Sequence, residues 1–210
     1  MAEMPPEMEF QWRRPQTFVP LAVAATTSPR AFFAAMPKDA GWLPPLAFLL
    51  VAQVVPALVQ TLFQLPQHGA KVFGLMALSL ANALATYLVA TVVLWLVARV
   101  AFRAEIALQG VLRIFCYTSG IWVLSMAVAV MSPVTSALVL VILMLVQLYL
   151  VQVGLQVVGK LPTVHAILSL LMAIVALVML RVFLEPVLGP PTPKLPPPGA
   201  VEGPAVGGQP

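Results

Sequence analysis

The chain has 210 residues, of which 61% are hydrophobic and 9% charged, with a formal net charge of +4. A typical soluble domain carries about 25% charged residues; 7 acidic and 11 basic side chains cannot cover a soluble core of this size, so the bilayer must solvate most of the surface. The Lys and Arg residues stand singly between apolar runs instead of clustering on one face, which excludes a nucleic-acid interface and matches what membrane topology alone requires.

The N-terminal "MAEMPPEMEFQWRRP" is acidic and Pro-bearing and lacks the basic region and short apolar run of a secretory signal, so the first span is expected to act as an uncleaved anchor. Next, "TFVPLAVAATT" sets Phe18, Leu21, Ala22 and Ala25 at helical spacing, as in an interfacial piece. Ser28 is a good N-cap, Pro29 fits the first helical position, and Arg30 to Met36 can make two turns before Pro37 stops them. Phe32, Phe33 and Met36 fall on one side, with Arg30 at the start and Lys38 and Asp39 after the stop. Such a helix is too short to span and suits the headgroup layer, rings down and basic ends up. Gly41 turns the chain, and Trp42 is placed as an interface anchor.

Five segments are apolar enough to cross roughly 30 Å of hydrocarbon. The first is Leu43 to Leu65, ended by "PQHG"; the second is Val72 to Ala98, ended by Arg99 and Arg103. The apolar stretch from Ile114 to Val158 exceeds one crossing, and Ser132 with Pro133 divides it into the third and fourth spans, joined by a tight hairpin. The fifth is Val164 to Leu184, with Arg181 near its end, where the side chain can snorkel to the headgroups. The tail "PPTPKLPPPGAVEGPAVGGQP" has no apolar periodicity and is expected to be solvated and disordered.

Arg13, Arg14, Arg30 and Lys38 precede the first span, Arg99, Arg103 and Arg113 the third, and Lys160 the fifth; Lys71, Arg181 and Lys194 fall on the other side. The positive-inside tendency then places the N-terminus in the cytoplasm and the C-terminus outside. That orientation keeps the "PTPKLPPP" stretch of the tail from a cytoplasmic SH3-type partner.

Chemistry in a membrane needs polar groups held where reacting atoms can reach them, and no ionisable residue sits in the middle of a span. His68 lies in the first loop and His165 at the start of the fifth span; the flanking acids Glu105 and Glu185 fall on opposite sides, so no metal ligand set assembles. A pairing of Ser119 with His165 has no supporting motif, and neither a GxxxxGK[ST] nor a GxGxxG phosphate loop occurs. The single cysteine, Cys116, excludes an internal disulfide and reads as a small apolar residue within a span. No catalytic, cofactor or metal site is therefore expected.

What the spans carry is uncharged polar stripes: Ser79, Asn82 and Thr86 on the second, Tyr149, Gln152 and Gln156 on the fourth, Gln53 and Gln60 flanking Pro56 on the first. Such faces are expected to turn away from lipid, because an unsatisfied amide in hydrocarbon costs several kcal/mol. They serve as packing glue beside Ala77, Ala81 and Ala85 or, alternatively, converge on a polar cavity for a small solute.

The order "SPRAFF", "GWLPPLAFLL", "RAEIALQGVLRIFCYTSGIWVL", "VGLQVV" and "HAILSLLMAIVAL", with its spacing, resembles the Yip1 domain family in its bacterial form over roughly residues 28 to 184. The resemblance implies a cytoplasmic N-terminal region before five spans and an external C-terminus. Eukaryotic relatives interact with prenylated Rab-type GTPases in vesicle traffic; the Asp-Leu-Tyr-Gly-Pro motif some of them carry before the first span does not occur here.

The expected architecture is all-α and polytopic. Residues 1–27 form a cytoplasmic, partly interfacial segment, 28–184 a five-span domain preceded by short amphipathic helices, and 185–210 a tail. The expected function is that of a non-enzymatic scaffold or adaptor in a bacterial inner membrane, whose Arg30, Phe32, Phe33, Trp42, Arg99, Arg103 and Arg113 meet lipid headgroups or a cytoplasmic protein partner, with a homo-oligomer compatible. The alternative is a small-solute permease using the Gln53, Asn82 and Gln152 faces.

Overall fold

Pro and Gly punctuate the apolar runs into seven α-helices among the described residues: α1 Phe18–Thr27, α2 Pro29–Ala35, α3 Leu43–His68, α4 Lys71–Phe102, α5 Leu108–Thr118, α6 Pro133–Val158 and α7 Thr163–Leu188. The computed structural model describes residues 9–37 and 41–188, and of residues 67, 68 and 184–188 the backbone only. Lys38, Asp39, the imidazole of His68 and tail residues 189–210 lie outside the described residues. The chain divides into Met1–Leu177 and Val178–Pro210; the second unit is described only as the helical end of α7, residues 178–188.

Among the described residues, five helical segments are long and apolar enough to cross a membrane: Leu43–Pro66, Lys71–Phe102, Leu108–Val130, Pro133–Val158 and Thr163–Phe183. The protein is thus an all-helical, multi-pass membrane protein. Local sequence sets the ends. Pro44 and Pro45 open α3 where the N–H groups have no partner in any case, and Ser132 caps α6, its Oγ accepting from Thr135 N–H at 3.3 Å with Pro133 behind it. The Ser132 and Pro133 division of the long apolar stretch is therefore where the hairpin forms.

The third span differs from its expected start. It begins at Leu108, not Ile114, so Arg113 lies inside α5 and not in a loop; the loop between α4 and α5 is only residues 103–107. Its second half is a 3-10 helix, Ser119–Val130. With rises of about 1.5 and 2.0 Å per residue the two halves together reach about 40 Å, enough for one crossing. This span is the centre of the bundle: 61% of its apolar stretch is buried, against 17% for the second and fourth spans.

Around that centre sits a cluster of rings. Phe18 stacks on Phe48 at 4.5 Å, Phe48 lies 5.0 Å from Tyr117, and Phe32 meets Tyr117 edge-on at 5.4 Å. Phe18, Leu21 and Ala25, the helical spacing read from the sequence, form the buried face of α1. The rings-down reading of α2 is corrected: Phe32 and Phe33 are 0% and 2% exposed, inside the protein and not in the headgroup layer. Two turns of helix cannot hold themselves together; α2 packs against α1 and α6, and its rings join the core.

Candidate functional site

Three polar constellations stand out in this apolar bundle. The first is built on Arg113, which is 1% exposed. Its Nη2 donates to Glu9 Oε1 at 2.7 Å and to the Gly41 carbonyl at 3.0 Å, and its Nη1 donates to the Pro37 carbonyl at 3.1 Å. A buried guanidinium is tolerated where charge-assisted hydrogen bonds replace water, and here they come from both ends of the pre-span segment. One turn further along the third span, Tyr117 Oη accepts from Phe10 N–H at 3.3 Å. Arg113 and Tyr117 together fasten Glu9, Phe10, Pro37 and Gly41 onto the third span.

The second lies within the membrane-crossing part. The Tyr87 hydroxyl on α4 accepts from Gln147 Nε2 on α6 at 3.1 Å and from Gln53 Nε2 on α3 at 3.4 Å. Gln147 Oε1 in turn accepts from Trp122 Nε1 in the 3-10 segment at 2.6 Å. Four spans are joined by one chain of hydrogen bonds, and both ends of the Gln147 amide are used.

The third is a cavity of about 450 Å³ at the end of α4, lined by Arg99, Arg103, Ala104, Glu105, Ile106 and Ala107. Trp95 shapes it: its indole N–H donates to the Ile106 carbonyl at 3.1 Å, and the Arg99 guanidinium lies over its ring at 5.5 Å. Helix α4 ends at Arg103 in the left-handed conformation, φ 53°, with Ala104 N–H returning to the Ala98 carbonyl at 3.0 Å. Glycine usually occupies that position because a Cβ is disfavoured there. No hydrogen bond or ion pair among the described residues engages the charged groups of Arg103 or Glu105.

The residues expected from sequence are dispersed over these features. Arg30 and Trp42 are exposed near the start of the first span, and Arg99 and Arg103 line the cavity. Arg113 is buried in the clamp, where Glu9 and two carbonyls replace the headgroups it was expected to meet. Of the polar stripes, Gln53 alone joins the Tyr87 network. Gln60, Gln152 and Gln156 are half-buried and Tyr149 is exposed.

Ser79, Asn82 and Thr86, expected to face away from lipid, lie on the outer surface of α4. The packing face of that helix is formed by Ala90, Thr91, Leu94 and Ala98, nearer its C-terminal end and about a quarter turn around the axis. Thr86 satisfies its own hydroxyl by donating to the Asn82 carbonyl at 2.8 Å. With Asn82 outward and Gln53 turned to Tyr87, the Gln53, Asn82 and Gln152 faces do not converge on a shared cavity.

Tyr87, Trp122, Gln147 and Glu9 carry the polar structure and were not singled out by spacing. Gln147 offered a signal, an amide deep in a span, but it stands off the Tyr149, Gln152 and Gln156 line and has no polar neighbour at helical spacing.

Among known families, the family model of the Yip1 domain matches residues 23–184. No curated protein and no solved structure matches the chain.

Proposed function

The chain belongs to the Yip1 domain family, and we propose that it works as a non-enzymatic membrane scaffold or adaptor in a bacterial inner membrane, N-terminus cytoplasmic and C-terminus external. The observation that carries this reading is the Arg113 clamp: it holds the segment from Glu9 to Pro37 against the bundle, making a fixed platform with Arg13 and Arg30 exposed on it. By alternate crossing, Arg99, Arg103 and Lys160 fall on that same side, and all three are exposed. A rigid basic face at the cytoplasmic surface suits docking of a protein beside anionic headgroups. The polar groups within the spans support the same reading, since Gln53, Tyr87, Gln147 and Trp122 spend their hydrogen bonds on one another and join helices.

Because Phe32 and Phe33 are core residues, the platform is probed through its outer residues. A photoreactive amino acid at Arg30 or at Ala34, both exposed on α2, is crosslinked in intact membranes and the adducts are identified by mass spectrometry. One recurrent cytoplasmic protein at both positions is the expected result. Lipid adducts alone at both would reduce the platform to an anchor and end the adaptor reading.

A further inference from the structure

The cavity at the α4 to α5 turn combines features that select one class of ligand. It presents two guanidiniums, Arg99 and Arg103, and one carboxylate, Glu105, around a volume of about 450 Å³. Arg99, in the last turn of α4, and Arg103, at its C-cap, both line the cavity, so two guanidiniums are available to grip a phosphate from two directions. Glu105 would repel a second anionic group and attract an ammonium.

The exposed side of α4 leads into this cavity. Val92 and Leu96, at 42% and 45% exposure, share a helical face with Arg99, so an apolar track runs along the span and ends at the charged groups. A phosphate carried on acyl chains would lie along that track with its headgroup in the cavity. The arrangement also separates two headgroups of equal charge. A primary ammonium donates hydrogen bonds to a carboxylate, whereas a quaternary one has no N–H and needs an aromatic face. The Trp95 face beside it is already covered by Arg99.

We propose that this cavity is a binding site for an ethanolamine phospholipid, its phosphodiester held by Arg99 and Arg103 and its ammonium by Glu105. The proposal rests on the membrane reading above and gives the basic cytoplasmic face a specific lipid. Arg103 in a left-handed position fits it: the backbone prefers glycine there, and arginine contributes the charge.

The test uses the full chain purified in mild detergent and mixed with equal amounts of dioleoyl-phosphatidylethanolamine, -choline and -glycerol; lipid retained is read by native mass spectrometry. The ethanolamine lipid is expected to exceed the choline lipid by about tenfold, the worth of a charge-assisted hydrogen bond. Glu105→Gln should bring that ratio near one. Arg103→Gly should lower retention of the ethanolamine lipid while circular dichroism and melting stay unchanged or improve, because glycine suits the backbone. In a second arm, glycerophosphoethanolamine and inorganic phosphate compete at millimolar concentration; a lipid site is displaced weakly by both.

A preference for the glycerol lipid that Glu105→Gln leaves alone, ethanolamine retention indifferent to both variants, or full displacement by inorganic phosphate would each overturn the proposal. Crosslinking at Arg30 and Ala34 reads the adaptor role separately, so failure of one leaves the other standing.

Discussion

Arg113 and Glu9 meet at 2.7 Å although 104 residues separate them, and this pair ties the start of the N-terminal segment to the third span. Glu9 keeps 24% of its side chain exposed while Arg113 keeps 1%, so removing the acid leaves a buried cation but removing the cation leaves an acid that water can reach. Glu9→Ala is expected to cost about 3 kcal/mol, the low end for breaking a buried pair. Arg113→Lys should be nearly as costly, because one ammonium cannot replace a planar fork reaching Glu9, Pro37 and Gly41. Trypsin cleavage after Arg13 and Arg30 in mixed micelles, with denaturation midpoints alongside, reads the release of the segment; cleavage as slow as in the wild type would refute the clamp.

The Tyr87 network makes a second prediction. Tyr87→Phe keeps the ring and deletes the hydroxyl that Gln53 and Gln147 both reach. Interhelical hydrogen bonds in membranes average about 0.6 and reach about 1.7 kcal/mol; with two donors orphaned, a loss of about 1.5 kcal/mol is expected. Combining Tyr87→Phe with Gln147→Leu should cost less than the sum of the single changes, since they share one bond. Strict additivity in a double-mutant cycle would show that the two side chains do not act together.

Much of this architecture was readable because bilayer thickness fixes the length of an apolar run. Ser132 and Pro133, a cap followed by a residue suited to the first turn, placed the turn between the third and fourth spans correctly. The start of the third span was misplaced because Arg113 reads as a boundary in any hydropathy argument. Its distant partners Glu9, Pro37 and Gly41 explain a buried arginine, and pairing across 72 to 104 residues leaves no periodic trace. The fate of Phe32 and Phe33 was hidden for the same reason. A two-turn helix with one apolar side has the same pattern whether that side meets lipid or Tyr117. In the candidate site, Arg99 and Arg103 were visible as flanking charges, whereas the cavity depends on the Trp95 bond to the Ile106 carbonyl and on the left-handed Arg103.

Close approach of α5 and α6 rests on Gly154. A Cβ added there would lie 2.6 Å from Ile114 Cγ2 and 2.9 Å from its Cγ1, inside contact distance with a fully buried side chain. Gly154→Ala is therefore expected to destabilise by about 1–3 kcal/mol despite its better helix propensity. Ile114→Ala introduced with it should recover part of the loss by vacating that space, whereas Ile114→Ala alone should cost about 2–5 kcal/mol. Equal melting of Gly154→Ala and wild type would show that the two helices are not packed as tightly as described.

The orientation of the chain is tested by cysteine labelling. Cys116 is the single cysteine and is 0% exposed, so it should stay unmodified by a membrane-impermeant maleimide, and Cys116→Ala gives a silent background. Into that background single cysteines are placed at exposed turn positions: Ser28→Cys and Lys160→Cys on the side of the basic face, Ala70→Cys and Met131→Cys at the opposite ends of the spans. With the basic face inside, the first two should label only after the cells are opened, and the last two should label in intact cells. The reverse pattern would invert the protein, put Arg30, Arg99, Arg103 and Lys160 outside, and exclude a cytoplasmic partner for that face. Labelling of positions 28 and 160 from different sides would instead break the alternate crossing that sets Arg99 and Arg103 beside the clamped N-terminal segment.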